Sequence, residues 1–139
     1  MKRFATANWK GAKEGTGSLT TQSNLISNIP YTFHSRFEDG KESNPEELIA
    51  AAHSGCFSMK LSILLGNAGF PPDNINTRCD ITIEGGTITT SHLTVKGNVP
   101  SISPEKFEEI VKEARMTCPV SKALNCEISH EAQLEQVTA

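Results

Sequence analysis

The pattern of hydrophobic and polar residues predicts three short strands near the start of the chain. Residues 3–9, 16–22 and 31–37 each contain Thr, the first and third also contain aromatic side chains, and the three runs are separated by Gly, Asn and Pro. Short runs of this kind between turn-forming residues are typical of the strands of a meander or hairpin. Arg36 falls within the third of these runs, so we expect it on a strand.

The most apolar run of the chain, NPEELIAAAHSGCFSMKLSILL at residues 44–65, predicts a long helix. Asn44 suits the N-cap and Pro45 the first helical position, a combination that favours helix initiation. The glycines at 66 and 69 favour its end. Apolar residues at three- and four-residue steps define one helical face that we expect to be buried: Leu48, Ala52, Cys56, Met59 and Ile63.

The second half of the chain predicts a hairpin, a second helix and a final strand. From Ile75 apolar and polar residues alternate, and the glycines at 85–86 separate two such strands. The second helix begins after Ser103 and breaks before Pro119, which disfavours helical geometry at the preceding residue. Its predicted buried stripe consists of Phe107, Ile110, Val111 and Ala114. With alternation again at 126–134, the order β-β-β-α-β-β-α-(α)-β predicts an α+β fold with a largely antiparallel sheet.

Composition narrows the functional classes. The 139 residues fit a single domain, 1–139, with a formal net charge of −3 and no basic cluster longer than two residues. We therefore expect no nucleic-acid partner and no membrane partner. The N-terminal residues have no apolar signal-like segment, and Lys60 would be costly at bilayer depth. We expect a cytoplasmic protein in which the long apolar run is a core helix.

Four cysteines remain as candidate chemistry, and their spacings match neither a zinc site nor a Cys-x-x-Cys motif. In a reducing cytosol we expect them to be thiols. Cys79 and Cys126 lie on the apolar sides of strands, which favours small buried side chains. Cys118 precedes a proline at a helix start, where it is either a turn residue or a thiolate favoured by unpaired N–H groups. Cys56 is either a core residue or a reactive thiol that His53, three residues earlier, could contact.

Two charged positions carry little signal by themselves. Glu46 and Glu47 lie in a first helical turn, where acidic residues stabilise any helix. Arg36 in HSRFEDG is one charged residue near a predicted strand end. The segments RFEDGKESNPEELIAAAHSGCFSMKLSILLGNAGF and CPVSKAL, taken together, nevertheless resemble the OsmC/Ohr family of thiol-dependent peroxidases. The resemblance also includes the N-terminal ANWKG and extends through nearly the whole chain.

The resemblance implies a concrete function and fold. Family members reduce organic hydroperoxides, and hydrogen peroxide more weakly, in defence against oxidative and osmotic stress. They use no cofactor or metal. An external dithiol reduces them after each cycle, and a lipoyl-type dithiol is one candidate for this reductant. The implied OsmC-like fold is an intertwined homodimer, with largely antiparallel sheets from both chains wrapped around two long central helices.

The resemblance also assigns roles to four residues. Cys56 matches the peroxidatic cysteine and Cys118 the resolving cysteine. Arg36 matches the arginine that orients and ionises the reactive thiol, and Glu46 the glutamate that pairs with this arginine in a forked contact. Glu47 ranks below Glu46.

These residue types suit the reaction, because a thiolate attacks the peroxide bond and a neighbouring arginine favours the thiolate. Glu46 and Cys56 are ten residues apart, which is about 15 Å along one helix. Either the Arg36–Glu46 pair reaches Cys56 from the other subunit, or the helix bends sharply; we favour the first. Apolar residues that could line a substrate pocket include Phe33, Phe37, Phe57 and the stripe of the second helix.

Two other functions remain as alternatives. The cysteine pair could be a non-catalytic redox sensor, which predicts a disulfide without turnover. A metal site built on His53 and Cys56 is disfavoured, since two ligands without a further cluster do not make a site.

Overall fold

The computed structural model describes residues 1–135. They form two compact units, Met1–Leu48 and a second unit that begins at Ile49; the expected single domain stays a prediction. Within the described residues the order of elements is β1 (Ala5–Lys10), β2 (Thr16–Thr21), β3 (Ile29–Tyr31), α1 (Phe33–Phe37), α2 (Pro45–Asn67), β4 (Asn74–Glu84), β5 (Thr87–Asn98), α3 (Pro104–Thr117), α4 (Pro119–Ala123) and β6 (Glu127–Leu134).

The first unit contains an antiparallel sheet in the order β1-β2-β3. The prediction of a strand over 31–37 is wrong, because β3 ends at Tyr31 and a short helix follows. Thr32 and Ser35 explain the change by forming a capping box. The Thr32 side chain accepts a hydrogen bond from the Ser35 backbone N–H at 3.1 Å, and the Ser35 hydroxyl accepts one from the Thr32 N–H at 2.8 Å. Arg36 therefore lies on α1 and not on a strand.

Both ends of the long helix α2 are confirmed. The Asn44 side chain accepts a hydrogen bond from the backbone N–H of Glu47 at 2.7 Å, as expected of an N-cap. At the other end Gly69 has a φ of 89°, and the N–H of Phe70 donates to the carbonyl of Leu65 at 2.8 Å. This left-handed termination satisfies backbone carbonyls that the helix leaves unpaired.

The buried face of α2 differs from the predicted stripe. Met59 and Ile63 are 68% and 52% exposed in the single chain. The fully buried residues instead repeat every fourth position: His53, Phe57, Leu61 and Leu65. The apolar residues of α2 lie on most of its sides. Their spacing therefore does not identify the side that packs against the rest of the chain. By length and composition alone α2 could cross a membrane, but its buried apolar side chains belong to the core of the second unit, which makes it a core helix.

The second unit is built on a sheet in the order β4-β5-β6. Gly85 and Gly86, with φ of 57° and 77°, form the predicted two-residue turn between β4 and β5, which are antiparallel. The final strand β6 runs parallel to β5, so α3 and α4 form the crossover between them. The sheet, α2 and α3 share one hydrophobic core.

The second predicted helix is confirmed as α3. Ser103 accepts a hydrogen bond from the N–H of Lys106 at 3.1 Å. The four residues of its predicted stripe are all buried. Helix α3 ends at Cys118, which is both the C-cap of α3 and the N-cap of α4. This break places a cysteine in the core at the start of a new short helix.

Candidate active site

Cys56 and Cys118 lie side by side in the second unit. Their sulfur atoms are 3.0 Å apart, within hydrogen-bonding distance, although the residues are 62 positions apart in the chain. Both are free thiols, and the separation exceeds the roughly 2.05 Å of a disulfide bond. Cys56 is partly exposed from the middle of α2, whereas Cys118 is fully buried. The pair thus consists of one accessible thiol and one enclosed thiol.

Several groups set the ionisation of Cys56. Burial raises the pKa of the Cys56 thiol above the ordinary value, and the adjacent Cys118 thiol raises it further. The backbone N–H of Val120 and the ammonium group of Lys60 lower it, but by less. The net pKa of Cys56 is raised. A reaction that needs the Cys56 thiolate therefore needs a further stabilising charge in addition to the groups of this unit.

Arg36 and Glu46 form an ion pair in the first unit. The Nε–H of Arg36 donates to both carboxylate oxygens of Glu46, at 2.9 Å and 3.3 Å. The Glu46 side chain is only 10% exposed and that of Arg36 is 42% exposed. The contact is not the forked pair that we expected, because within residues 1–135 neither Nη group of Arg36 makes a hydrogen bond. Those groups remain available to a ligand or to another chain.

Asn44 connects the two elements that carry this ion pair. Its side-chain oxygen caps α2, and its side-chain nitrogen donates to the carbonyl of Ser35 at 3.1 Å. One side chain thus fixes both the end of α1 next to Arg36 and the first turn that carries Glu46. The sequence identified Asn44 as a cap but gave no sign of the second contact.

His53 occupies a buried polar cluster that the sequence did not predict. Its ring is fully buried, with Nδ1 2.6 Å from the hydroxyl of Ser91 and Nε2 2.7 Å from the hydroxyl of Ser121. Burial lowers the pKa of His53 below the ordinary value of 6.5. Cys79 lies at the edge of this cluster, its sulfur 3.2 Å from the Ser91 hydroxyl. Both imidazole nitrogens are thus engaged by serines, and the part of the chain that the structure describes contains no group of three or more potential metal ligands.

An aromatic cavity of about 320 Å³ lies next to Arg36 in the first unit. Phe33 and Phe37 line it as predicted, and Trp9, Tyr31 and Lys13 complete much of the wall. Phe57 and the stripe of α3, which were also expected to line a pocket, do not line this cavity: they are buried in the core of the second unit, where Phe107 lines a different cavity.

Comparison with known proteins identifies the family. The family model described as OsmC-like protein matches residues 38–133. The Peroxiredoxin OsmC of Escherichia coli (strain K12) is 43% identical over 134 residues, which cover 93% of this chain and 94% of that protein. The chain belongs to the OsmC family. An Organic hydroperoxide resistance protein-like 2 of Staphylococcus epidermidis is 33% identical over 91 residues, 62% of this chain and 63% of that protein.

Solved structures of the OsmC family share the fold. The OsmC like protein from Mycoplasma pneumoniae aligns with a TM-score of 0.72 over 98% of this chain and 99% of that one, at 12% identity. The predicted family and α+β OsmC-like fold are therefore confirmed, and the named relatives make this a family of thiol-based peroxidases. The structure brings the four predicted site residues together as two pairs, Cys56 with Cys118 and Arg36 with Glu46; their catalytic roles stay predictions.

Proposed function

We propose that this chain reduces organic hydroperoxides to alcohols, and hydrogen peroxide more weakly, in defence against oxidative and osmotic stress. The observation that supports this proposal best is the 3.0 Å separation between the sulfur atoms of Cys56 and Cys118. Cys56 is the partly exposed member of the pair and Cys118 the fully buried one. A peroxide therefore reaches Cys56 first, which suits a peroxidatic cysteine. Cys118 lies beside it, in a position to attack the sulfenic acid that forms on Cys56.

The proposed cycle has three steps. The Cys56 thiolate attacks the terminal oxygen of the hydroperoxide and breaks the O–O bond; Cys56 becomes a sulfenic acid, and the departing alkoxide takes up a proton to give the alcohol. Cys118 then attacks the sulfenic sulfur, which forms a disulfide and releases water. An external dithiol, for which a lipoyl-type dithiol is our candidate, reduces the disulfide by exchange and is itself oxidised to a disulfide.

Arg36 is our candidate for the charge that the thiolate requires. Glu46 holds its Nε, which leaves the two Nη groups for the thiolate and the peroxide. Glu46 and Cys56 are separated by ten residues of α2, a rise of about 15 Å. We therefore infer that the Arg36–Glu46 pair of one chain acts on Cys56 of a second copy.

The surface of α2 supports assembly with a second copy. One side of this helix exposes small and apolar residues, namely Ala52, Gly55, Met59 and Ile63. Exposed apolar surface that continues along a helix is typical of an interface. In the proposed homodimer the two copies of α2 cover each other at the centre. Sedimentation analysis tests this step, and a monomer with full peroxidase activity would contradict it.

The aromatic cavity supports a preference for organic substrates. Its volume of about 320 Å³ suits an alkyl or aryl group. Since Arg36 belongs to its wall, a hydroperoxide whose organic part fills the cavity would present its peroxide group near this guanidinium. We expect kcat/KM to be higher for cumene hydroperoxide than for hydrogen peroxide. We place the reaction in the cytoplasm, where the cysteines are kept reduced.

A steady-state assay with cumene hydroperoxide and dihydrolipoamide tests the proposed function. The wild-type protein should turn over, Cys56→Ser should be inactive, and Cys118→Ser should complete one turnover before over-oxidation. Cys126→Ser is the matched control, because Cys126 is also a partly buried thiol but lies outside the pair. Unchanged turnover in Cys56→Ser would refute the proposal. Disulfide formation without dithiol-dependent turnover would instead identify a redox sensor.

A further inference from the structure

The short helix α4 contacts α2 through three of its positions. Cys118, its N-cap, places its sulfur 3.0 Å from that of Cys56. The backbone N–H of Val120 faces the Cys56 thiol and lowers its pKa. The hydroxyl of Ser121 lies 2.7 Å from Nε2 of His53. The third contact is the only one of these three that does not involve the reactive sulfur atoms, so it persists while they change their bonding.

This helix depends on such contacts for its position. It has five residues, Pro119–Ala123, and a helix of this length has little stability of its own. The Cys118 side chain makes no capping hydrogen bond to it. The polar contact between Ser121 and His53 is buried on both sides, and a buried hydrogen bond is costly to break.

His53 is carried by α2 and also contacts the sheet. Its Nδ1 lies 2.6 Å from the hydroxyl of Ser91 on β5, which is the central strand of its sheet. The ring is neutral near pH 7, because burial lowers its pKa. A neutral imidazole donates from one nitrogen and accepts at the other, and two serine hydroxyls can complement either tautomer. The backbone of α2 carries the ring, so the contact between Nε2 and Ser121 holds α4 against α2 whether or not Ser91 engages Nδ1.

We propose that His53 is a positioning residue for disulfide formation, which it assists by holding α4 through Ser121 so that Cys118 stays beside Cys56. This inference rests on the proposed function. To form the disulfide, the sulfur separation must fall from 3.0 Å to about 2.05 Å. If Cys118 moves away, the Cys56 sulfenic acid persists, and a second hydroperoxide oxidises it to the sulfinic acid and is itself reduced to the alcohol. Cys118 then no longer forms the disulfide.

Two pairs of variants separate positioning from general stability. Ser121→Ala and Ser91→Ala each remove one hydroxyl from the same imidazole ring, but only the first releases α4. His53→Gln places an amide near the position of Nε2 and can keep the contact with Ser121. His53→Asn places an amide near Nδ1 and keeps only the contact with Ser91.

The main measurement is the fraction of Cys56 that becomes sulfinic acid per turnover with cumene hydroperoxide, determined by mass spectrometry. Measurements are made at a temperature at which circular dichroism shows every variant to be folded. We expect Ser121→Ala and His53→Asn to raise this fraction about fivefold, the effect of one net hydrogen bond on a rate. Ser91→Ala and His53→Gln should stay near the wild-type fraction. Equal fractions in Ser121→Ala and Ser91→Ala, whether raised or not, would overturn the inference.

Amide hydrogen exchange of residues 120–124, whose Lys122 and Leu124 amides donate within α4, provides a measurement in the reduced protein that needs no peroxide. Exchange there should be faster in Ser121→Ala and His53→Asn than in Ser91→Ala and His53→Gln. Unchanged exchange in Ser121→Ala would refute the anchoring of α4 by His53. If instead the wild-type protein forms no Cys56–Cys118 disulfide with the hydroperoxide, the proposed function fails, while hydrogen exchange still decides whether His53 holds α4.

Discussion

The substitution Glu46→Gln tests the importance of the ion pair with Arg36. Glutamine has nearly the shape of glutamate and keeps one acceptor oxygen, but it lacks the charge that both contacts to the Arg36 Nε use. Because the Glu46 side chain is only 10% exposed, water does not readily replace the lost interaction. The matched control is Glu47→Gln. Glu47 lies in the same first turn of α2 and is exposed, so its substitution removes the same helix-terminal charge without touching the ion pair.

The expected loss of stability follows from the burial of the Glu46 side chain and the exposure of the Arg36 side chain. Hydrogen bonds with a charged partner contribute about 1.5–3 kcal/mol when they are buried. The Arg36 side chain is 42% exposed, so solvent screening reduces the value to about 1–2 kcal/mol. The contribution of the helix dipole is common to both variants and cancels in the comparison. We expect the free energy of unfolding to be lower in Glu46→Gln than in Glu47→Gln by about 1 kcal/mol or somewhat more.

The catalytic consequence is measured separately from stability. In a stopped-flow experiment with cumene hydroperoxide, a guanidinium that is no longer fixed should lower the rate constant for Cys56 oxidation by about tenfold, equivalent to about 1.4 kcal/mol. Glu47→Gln should remain within about twofold of wild type. Urea unfolding of the same samples gives the stability difference. If both variants lose the same rate and the same stability, the Arg36–Glu46 contact has no role beyond that of an ordinary helix-terminal acid.

Three further predictions concern single residues of the second unit. Because the Cys118 thiol raises the pKa of Cys56, Cys118→Ala should move the pH midpoint of Cys56 alkylation by iodoacetamide to a lower value; an unchanged midpoint would contradict this cause. Because burial lowers the pKa of His53, the free energy of unfolding should fall as the pH decreases below about 6.5, and urea titrations at pH 7 and pH 5 should show a smaller fall in His53→Gln. A methyl group at Gly97 would lie 2.8 Å from Cζ of Phe107, so Gly97→Ala should reduce the free energy of unfolding by about 1–3 kcal/mol; an unchanged thermal midpoint would show that Phe107 moves without cost.

Local sequence signals predicted most of the elements because the interactions that create them are local. The cap at Asn44, the turn at Gly85–Gly86 and the break at Cys118 each depend on a few neighbouring residues. The capping box of Thr32 and Ser35 is equally local: a Thr followed three residues later by Ser is a signal for a helix start, and it predicts α1 in place of a strand.

Features that depend on distant residues could not be predicted in this way. The parallel pairing of β6 with β5 is a choice among partners that alternation does not distinguish. The face of α2 that packs within the chain could not be predicted from spacing, because most of its faces are apolar; whether a second copy buries the predicted stripe stays a prediction. Its innermost polar residue, His53, is satisfied by serines 38 and 68 positions away.

The same distinction applies to the candidate site: some of its residues have a local sequence signal, but the contacts between them do not. A cysteine at a helix start was visible at position 118, but only the resemblance to a family connected it with Cys56. Arg36 had no local signal, and the motif CPVS contained Ser121 without any indication that this hydroxyl contacts His53. Spacing along the chain revealed candidate groups, whereas the fold decides which of them meet.

The separation of the paired thiols along the chain has a consequence for folding thermodynamics. A disulfide between residues 62 positions apart would restrict the unfolded chain by about 4 kcal/mol of loop entropy. The oxidised form of the protein should therefore resist unfolding more than the reduced form. Thermodynamic linkage requires the reverse effect as well: folding favours the disulfide by the same free energy, which lowers its reduction potential by about 90 mV relative to the unfolded chain. The external dithiol that we propose as the reductant would have to overcome this added stability in every cycle.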